Sequence, residues 1–317
     1  MLQQYDQRNA DILININGDL VHRNQAGVSP FDSLVQGGDG VWEGLRLYQN
    51  GIFRLEAHLD RLHKSAKAIA IEDVPSHQKL KHEIARTLDA NDMTDGVHIR
   101  LTLSRGLKIT SGMDPRLNQS GPTLIVLAEY KAPVYDRAGL SLATSSIRRF
   151  RADMLDPVIH HNNLLQSIMA KIEANAAGAD DALMLDDRGF IAETNATHLF
   201  FVHGGVVSTS RVLACPDGIT RSVVINLCQN NGIALTVRDV GLAEAYQADE
   251  CFCTGTMGEL ASVTKIDGRS IGDGGVGPVT RQLQELFAAE VRACCEPVSY
   301  THLTLPTKAL GVDLGGR

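Results

Sequence analysis

The sequence contains no cluster of lysine and arginine residues and no apolar run long enough to span a bilayer. Its formal net charge is -7 and its pI is about 5.9. Clustered positive charge is what holds nucleic acids and anionic membranes, so the composition argues against either partner. Aromatic residues make up only 5% of the chain, yet 44% of its 317 residues are hydrophobic, which is enough for a buried core.

The six cysteines form no C-x-x-C pair, and the chain does not begin with a basic region followed by an apolar stretch. Cys251 and Cys253 alternate along a predicted strand, so both point to one face. This pattern favours buried thiols over zinc ligands or disulfides, and we predict no metal site. The same absences predict a cytoplasmic protein without a secretory leader.

Hydrophobic periodicity divides the chain into two α/β halves. Strands and an Asn50-Gly51 hairpin turn are predicted near residues 12–54, and Gly106–Pro122 is a predicted long loop. Helical spacing covers residues 55–71, 76–91, 163–176, 221–231 and 279–295, with three or four strands among the last three. The predicted organisation is an N-terminal α/β domain over 1–130, a connector over 131–136, a C-terminal α/β domain over 137–296 and a non-native tail over 297–317.

Glu193 ends a predicted strand beside the Asp187-Arg188-Gly189 turn, and Thr194-Asn195-Ala196-Thr197-His198 follows it. A carboxylate in such a place can keep a pyridine nitrogen protonated, so that the ring accepts electrons from a reacting carbanion. An acidic loop residue is more often a solvated surface group, and Glu193 taken alone favours that interpretation. The segments that follow it favour the functional one.

Two small-residue loops follow, Gly218-Ile219-Thr220-Arg221 and Thr254-Gly255-Thr256. Each is able to open a helix at a hydroxyl-bearing residue, and Thr220 is a natural N-cap. Capping alone would explain Thr220, and a strand-to-loop turn would explain Thr256. The free N–H groups of a helix start also bind phosphate, and Gly255 lets the backbone approach a ligand closely.

The order and spacing of these segments resemble the fold-type IV pyridoxal-phosphate aminotransferases, which include the branched-chain and D-amino-acid transaminases. The resemblance covers about residues 12–292 and includes two further segments, His58-Leu59-Asp60-Arg61-Leu62 and Gly37–Arg46. It implies a D-amino-acid aminotransferase-like fold, an α/β (α+β) architecture of two domains with pyridoxal 5'-phosphate in the cleft, and a homodimer.

By the same resemblance, Glu193 faces the cofactor ring. The residues implied for the phosphate end are Arg61, Ile219, Thr220, Gly255 and Thr256. The residues implied for the substrate pocket are Phe31, Trp42 and Arg46, and core packing is an equally good interpretation of the two aromatic ones.

The Schiff-base lysine of this family is missing from its expected place, because no lysine lies between Lys131 and Lys171. Relatives that read Lys-Ile-His-His-Asn-Asn put Val158 in that position, and relatives with shorter spacing put His160 there. A valine is neither a nucleophile nor a base. The candidates for a substitute base are His160 and His161, which titrate near neutrality, although a structural role is slightly favoured for both. Lys131 and Lys171 are weaker candidates, since each resembles a structural or solvated lysine.

We therefore predict a class IV transaminase that moves an amino group between an amino acid or amine and a 2-oxo acid. The missing lysine predicts weak activity or a substitute base. The alternatives are a catalytically silenced cofactor-binding scaffold, a variant from which the lysine was deliberately removed, and a lyase acting on aminodeoxychorismate. The sequence does not select the substrate or its L or D configuration.

Overall fold

The structure is a computed structural model that describes residues 3–49, 51–135 and 139–297. The predicted turn residue Asn50, the end of the predicted connector at Asp136 and the predicted tail beyond residue 297 lie outside these ranges. The strands are β1 (Leu13–Ile16), β2 (Asp19–His22), β3 (Gly40–Tyr48), β4 (Gly51–Phe53), β5 (Val97–Ser104), β6 (Thr123–Tyr130), β7 (Leu140–Thr144), β8 (Asp181–Leu185), β9 (Ile191–Thr194), β10 (His198–His203), β11 (Val206–Thr209), β12 (Leu235–Val237), β13 (Glu250–Gly255), β14 (Glu259–Ile266), β15 (Arg269–Ser270) and β16 (Cys295–Pro297). The α-helices are α1 (Ser33–Gly37), α2 (Leu55–Ala68), α3 (His77–Ala90), α4 (Leu165–Ala176), α5 (Ile219–Asn230), α6 (Leu242–Tyr246) and α7 (Pro278–Cys294).

The first sheet is antiparallel and has the order β16-β4-β3-β5-β6-β1-β2. Alternate residues of β3, such as Val41 and Leu45, join an apolar core with α2 and α3. The intervening residues, such as Trp42, lie on the opposite face, which borders a cleft. The helix predicted over 55–71 ends earlier, at Ala68, because Ala70 adopts a left-handed backbone with a φ of 53°.

The second sheet is mixed, with the order β12-β11-β10-β13-β14-β7-β8-β9 and β15 paired to β14. Eight strands follow α4 in the described residues before the chain returns to the first sheet, so the prediction of three or four was wrong. The missed strands are short, and β12 and β15 are largely exposed, so they carry no long apolar run. Three buried clusters pack against this sheet, and Cys251 and Cys253 point together into one of them, as predicted.

The segment before α4 belongs to the first sheet rather than to the helix. Asn162 donates its backbone N–H to Gly40 O at 2.9 Å, and His161 forms an isolated bridge with Val41. This pairing holds the backbone extended, so α4 begins at Leu165 and the predicted start at Asn163 was wrong. The pairing also brings the residues around the predicted lysine position to the end of β3.

The last helix links the two sheets. Residues of α5 and α7 cover the second sheet around a stacked Phe200–Phe252 pair with ring centroids 4.9 Å apart. The chain then returns to the first sheet, where β16 pairs with β4. Among the described residues, no helix has both the length and the apolar composition needed to cross a membrane.

Candidate active site

The two sheets meet at a cavity of about 300 Å³. One wall is the cleft face of β3 and β5, and the other is formed by the β13–β14 hairpin and the start of α5. The predicted residues that line this cavity are Trp42, Arg61, His160, Glu193, Ile219, Thr220, Gly255 and Thr256. The fold therefore brings together side chains that are far apart in the chain.

Glu193 is the penultimate residue of β9, and only 3% of its surface is exposed. Its Oε1 lies 2.8 Å from Arg149 Nη2 but lacks a well-aligned hydrogen bond within the described residues, and its Oε2 lies 3.9 Å from His198 Nε2. Burial raises the pKa of Glu193 to about 7, although the charges of Arg149 and Arg61 oppose the rise. The carboxylate is thus buried and under-paired.

The neighbours of Glu193 are fixed by their own contacts. Arg149 Nη2 donates to Thr194 O at 3.0 Å, and His198 Nε2 contacts Pro216 O at 2.8 Å. Burial lowers the pKa of His198 to about 3, so this ring is neutral and supplies no counter-charge. Sequence reasoning missed Arg149 and gave His198 no role of its own. Arg149 lies in none of the motifs described above, and His198 was noted only as the end of the segment that follows Glu193.

Helix α5 begins with its backbone open to the cavity. Gly218 is the N-cap residue and no described side chain caps the helix, so Thr220 lies inside the first turn and the predicted Thr220 N-cap was wrong. A Cβ at Gly218 would lie 2.5 Å from His198 Cε1, so only glycine fits this close approach. The free N–H groups and the helix dipole favour an anion here.

The second small-residue loop is a hairpin rather than a helix start. Thr254 and Gly255 end β13, and Thr256 lies in the turn before β14, so the predicted helix at Thr256 was wrong. Pairing of β13 with both β10 and β14 holds this segment extended. Thr254 Oγ1 is buried without a hydrogen-bond partner in the described structure.

Arg61 points from α2 to the cavity but is already paired. Its Nε and Nη2 donate to the two carboxylate oxygens of Glu43 at 2.8 and 2.7 Å, and its Nη1 donates to Asp217 O at 2.8 Å. The Glu43 side chain is fully buried and also lies 2.7 Å from His58 Nδ1. Sequence reasoning quoted Glu43 within a motif without giving it a role.

His160 lies at the junction of two cavities that both include Glu193 in their walls. Its Nδ1 is 2.5 Å from Trp42 O, and its ring stacks on Trp42 with a centroid distance of 4.5 Å. Arg100 also stacks on the Trp42 ring, with its guanidinium carbon 3.9 Å from the centroid. Because a carbonyl only accepts, Nδ1 carries the proton and Nε2 holds the lone pair. Burial and the charge of Arg61 lower the pKa of His160.

The other residues of the predicted lysine region lie around these cavities. Val158 is 46% exposed and lines a separate cavity of about 460 Å³ together with Arg61 and Ile219. His161 lines a third cavity of about 470 Å³, which includes Glu193. Lys171 also borders that cavity, with Nζ 3.2 Å from Asp181 Oδ1.

Two predicted substrate residues do not line any of these three cavities. Phe31 is 49% exposed on a loop. Arg46 is only 6% exposed on β3, and its Nε and Nη1 have no hydrogen-bond partner in the part of the chain that the structure describes. Lys131 donates its backbone N–H to Gly96 O at 3.1 Å. Contact of Phe31 and Arg46 with a substrate stays a prediction.

The similarity of this chain to known proteins includes the segments that form the site. The sequence profile of the family described as amino-transferase class IV matches residues 40–266. "Branched-chain-amino-acid aminotransferase-like protein 2" of Arabidopsis thaliana is 53% identical over 280 residues, or 88% of this chain and 50% of the plant protein. The chain thus spans about half the length of this plant relative. "D-alanine aminotransferase" of Bacillus licheniformis is 34% identical over 276 residues, which cover 84% of this chain and 93% of that protein.

A solved structure shares the fold. It is the crystal structure of a T.th. branched-chain amino acid aminotransferase complexed with N-(5'-phosphopyridoxyl)-L-glutamate, and it superposes with a TM-score of 0.83 at 34% identity. The match covers 89% of this chain and 95% of the other. The arrangement of the two sheets is therefore that of fold-type IV, as the resemblance implied.

Proposed function

The chain belongs to the amino-transferase class IV family, and from that premise we propose that it binds pyridoxal 5'-phosphate and transfers amino groups between an amino acid or amine and a 2-oxo acid. The solved relative binds a phosphopyridoxyl derivative of glutamate, which supports this cofactor. The observation that carries the proposal is the cavity itself, whose lining includes an under-paired buried carboxylate and an uncapped helix start.

The residues present fit such a cofactor. The buried carboxylate of Glu193, whose pKa is raised to about 7, has one close cation, Arg149, but its Oε1 accepts no aligned hydrogen bond within the described residues, so a protonated pyridine nitrogen would supply a further partner. The open start of α5 suits a phosphate dianion at Ile219 and Thr220. The hydroxyl of Thr254 is buried and unpartnered in the described structure, so it can bond a polar atom of a ligand.

When bound, the cofactor supplies an electron sink for a carbanion at the substrate's α-carbon. Glu193 holds a proton at the ring nitrogen, and Arg61 adds positive charge near the phosphate end while it remains bonded to Glu43. These residues bind and orient the cofactor without a covalent bond to the chain. In this proposal neither Glu193 nor Arg61 moves the proton at the substrate's α-carbon, so another group has to do so.

We propose His160 as the group that moves this proton. Its Nε2 has no hydrogen-bond partner among the described residues, and the ring is held by Trp42 on the cavity wall. A positioned general base typically contributes about 10²–10⁴-fold to a rate. His161, which lines the neighbouring cavity, is the alternative base. The position of the lost lysine, at Val158 or at His160, stays a prediction.

A catalytically impaired cofactor-binding scaffold is the second candidate, whether it arose naturally or by deliberate replacement of the lysine. The absence of any lysine between Lys131 and Lys171 favours it. Both candidates predict cofactor binding, and only the first predicts amino transfer. A cytoplasmic location stays a prediction from the cysteine pattern.

We also propose a homodimer. Helix α4 presents an exposed apolar stripe at helical spacing, and large exposed apolar patches mark interaction surfaces. The stripe consists of Leu165, Ile168, Met169 and Ile172. A second copy of the chain would bury it beside the cavity that contains Glu193.

The test is to titrate the purified chain with pyridoxal 5'-phosphate, then add single amino acids and follow the cofactor spectrum. We expect saturable binding that dialysis reverses, and slow amino transfer. Borohydride treatment should fix no cofactor to the wild-type chain, and mass spectrometry measures this. Absence of binding would overturn the proposal, and binding without any amino transfer would favour the scaffold.

Two variants then locate the lysine position. We expect His160→Lys to retain cofactor after borohydride and to transfer amino groups about 10²-fold faster or more, because a lysine there would reach the shared cavity. Val158→Lys serves as the matched control, since Val158 lines the neighbouring cavity. If only Val158→Lys fixes the cofactor, Val158 is the lysine position.

A further inference from the structure

Glu43 is the centre of a buried polar network in the first half of β3. Its two oxygens accept both N–H groups of the Arg61 fork, and its Oε2 lies 2.7 Å from His58 Nδ1. Its Oε1 lies 3.3 Å from His160 Nδ1. One carboxylate therefore contacts both Arg61, which is proposed for the phosphate end, and His160, the proposed base.

The network contains one ion pair, which Glu43 forms with Arg61. Burial acts to raise the pKa of Glu43, but the charge of Arg61 together with His160 holds it well below the usual range of a glutamate. Burial also lowers the pKa of His58 and of His160, so both rings are neutral near pH 7. Glu43 and Arg61 are thus the charged pair, and the two histidines are neutral groups beside it.

The ring of His160 is held on every side except one. Its backbone N–H donates to Ser65 Oγ at 3.1 Å, Trp42 supplies both a carbonyl and a stacking face, and Glu43 lies beyond Nδ1. A ring held in this way presents Nε2 to the cavity in a fixed tautomer. A nearby carboxylate also stabilises the protonated ring, so it makes Nε2 a stronger base.

We propose that Glu43 is a positioning residue that holds His160 with Nε2 facing the cavity, strengthens it as a base, and ties it to Arg61 through one shared carboxylate. The inference rests on the proposed function for its meaning in catalysis, but the geometry it asserts is a property of the protein without cofactor. It assigns to a fully buried glutamate a task beyond holding the fold.

Other charged or titratable groups also face His160. They are Glu43 from β3, His58 and Arg61 from α2, Arg100 across the Trp42 ring, the neighbouring His161, and Arg149 and Glu193 on the opposite wall. Of these, only Glu43 and Glu193 are acids. Of the two, Glu43 is the one that contacts the ring of His160 directly.

The experiment compares Glu43→Gln with Glu83→Gln. Glu83 is an equally buried acid in α3, paired to Lys79 at 2.5 Å and to Arg86 at 2.9 Å, and it lies outside the three cavities. Both variants lose a buried charge, so both should unfold more easily. The distinguishing measurement is the ¹⁵N NMR titration of the histidine rings in the chain without cofactor, with His160→Gln used to assign the signal.

In the wild-type chain we expect the His160 signals of a ring with the proton on Nδ1 and none on Nε2. In Glu43→Gln, the midpoint of the His160 titration should fall by about one pH unit, because the nearest negative charge is gone. In Glu83→Gln it should not move. The acid limb of the pH profile for amino transfer should shift in the same direction in Glu43→Gln alone.

An unchanged His160 titration in Glu43→Gln, or a proton on Nε2 in the wild-type chain, would overturn the inference. These outcomes are read without cofactor, so they are independent of whether the chain binds pyridoxal 5'-phosphate. If the wild-type chain binds no cofactor but shows the expected titration shift, the proposed function fails and the positioning role stands.

Discussion

Two buried glutamates, one in the cavity wall and one behind it, have different partners. Glu43 is fully buried and accepts both N–H groups of the Arg61 fork, with His58 and His160 nearby. Glu193 is 3% exposed and has one poorly aligned cation, Arg149. The pKa of Glu43 is held well below its usual range, whereas burial raises that of Glu193 to about 7.

The fold supplies the carboxylate of Glu43 with charged and hydrogen-bonding partners, whereas it leaves the carboxylate of Glu193 only partly paired. Removing a carboxylate from water is costly, and only close charges and hydrogen bonds offset the cost. For Glu43 the chain itself supplies these partners. Glu193 has one close cation, Arg149, and its Oε1 accepts no aligned hydrogen bond in the described structure, so a positively polarised ligand would add a partner that the protein does not supply. The comparison therefore favours Glu193 as the ligand-facing acid, and Glu43 as part of the scaffold that holds the base.

The largest expected effect is on stability when Glu43 is removed. We expect Glu43→Ala to lower the free energy of unfolding by about 3–5 kcal/mol, because it leaves both the partly buried Arg61 fork and the buried His58 ring without the carboxylate that they contact. Urea unfolding of the chain without cofactor measures this. Glu193→Ala is the matched control and should cost far less, since it removes an under-paired charge. Equal losses in the two variants would break the comparison.

The second prediction concerns pH. The folded-state pKa of Glu193 is about 7, above the ordinary value of 4.5, so the folded chain binds this proton more tightly than the unfolded chain does. Its contribution to stability is full below pH 4.5 and is lost as the pH rises through 7. The loss amounts to about 3 kcal/mol at about pH 8.5.

Unfolding in urea at about pH 4.5 and about pH 8.5 checks this prediction, because most of the loss develops between these two values. Glu193→Gln should remove most of the loss between the two pH values, because an amide does not titrate. Added pyridoxal 5'-phosphate should also reduce the loss in the wild-type chain, since a bound positive group favours the ionised carboxylate. A wild-type chain whose stability changes as little as that of Glu193→Gln would show that Glu193 has an ordinary pKa.

Sequence reasoning found Glu193 but gave Glu43 no role, and the reason is physical. Glu193 lies in a local motif beside a turn and a strand, which one stretch of sequence displays. The partners of Glu43 come from α2 and from the distant segment around His160. Local periodicity predicted α2 and α3 well, because their patterns are complete within about fifteen residues.

The errors have the same origin. The start of α4 moved because residues 160–162 pair with β3, and the helix predicted at Thr256 is a turn because β13 has strand partners on both sides. Tertiary pairing overrode the local signal in each case. The position of Thr220 inside α5 accompanies the close approach of Gly218 to His198, which no local pattern displays.

The same contrast between satisfied and unsatisfied groups separates two helix starts. In α7 the buried side chain of Glu250 accepts the backbone N–H groups of Val279 and Thr280 at 3.0 and 2.7 Å. In α5 no side chain of the described residues caps the helix, and its start lines the cavity. Both starts follow a glycine. The protein has therefore closed one helix start with its own carboxylate and left the other open for an external anion.

The smallest predicted effect tests this contrast with two matched threonines. Thr220 and Thr280 each lie in the first turn of their helix, and both are buried. We expect Thr220→Val to weaken the binding of pyridoxal 5'-phosphate about tenfold, because one hydrogen bond to a charged group is lost. Thr280→Val should leave binding unchanged and raise the free energy of unfolding by about 1 kcal/mol, because Thr280 Oγ1 is buried without a partner in the described residues. Cofactor titration and urea unfolding of both variants measure these effects.

If Thr280→Val weakens binding as much as Thr220→Val does, the two helix starts are equivalent and the open start of α5 is not a phosphate site.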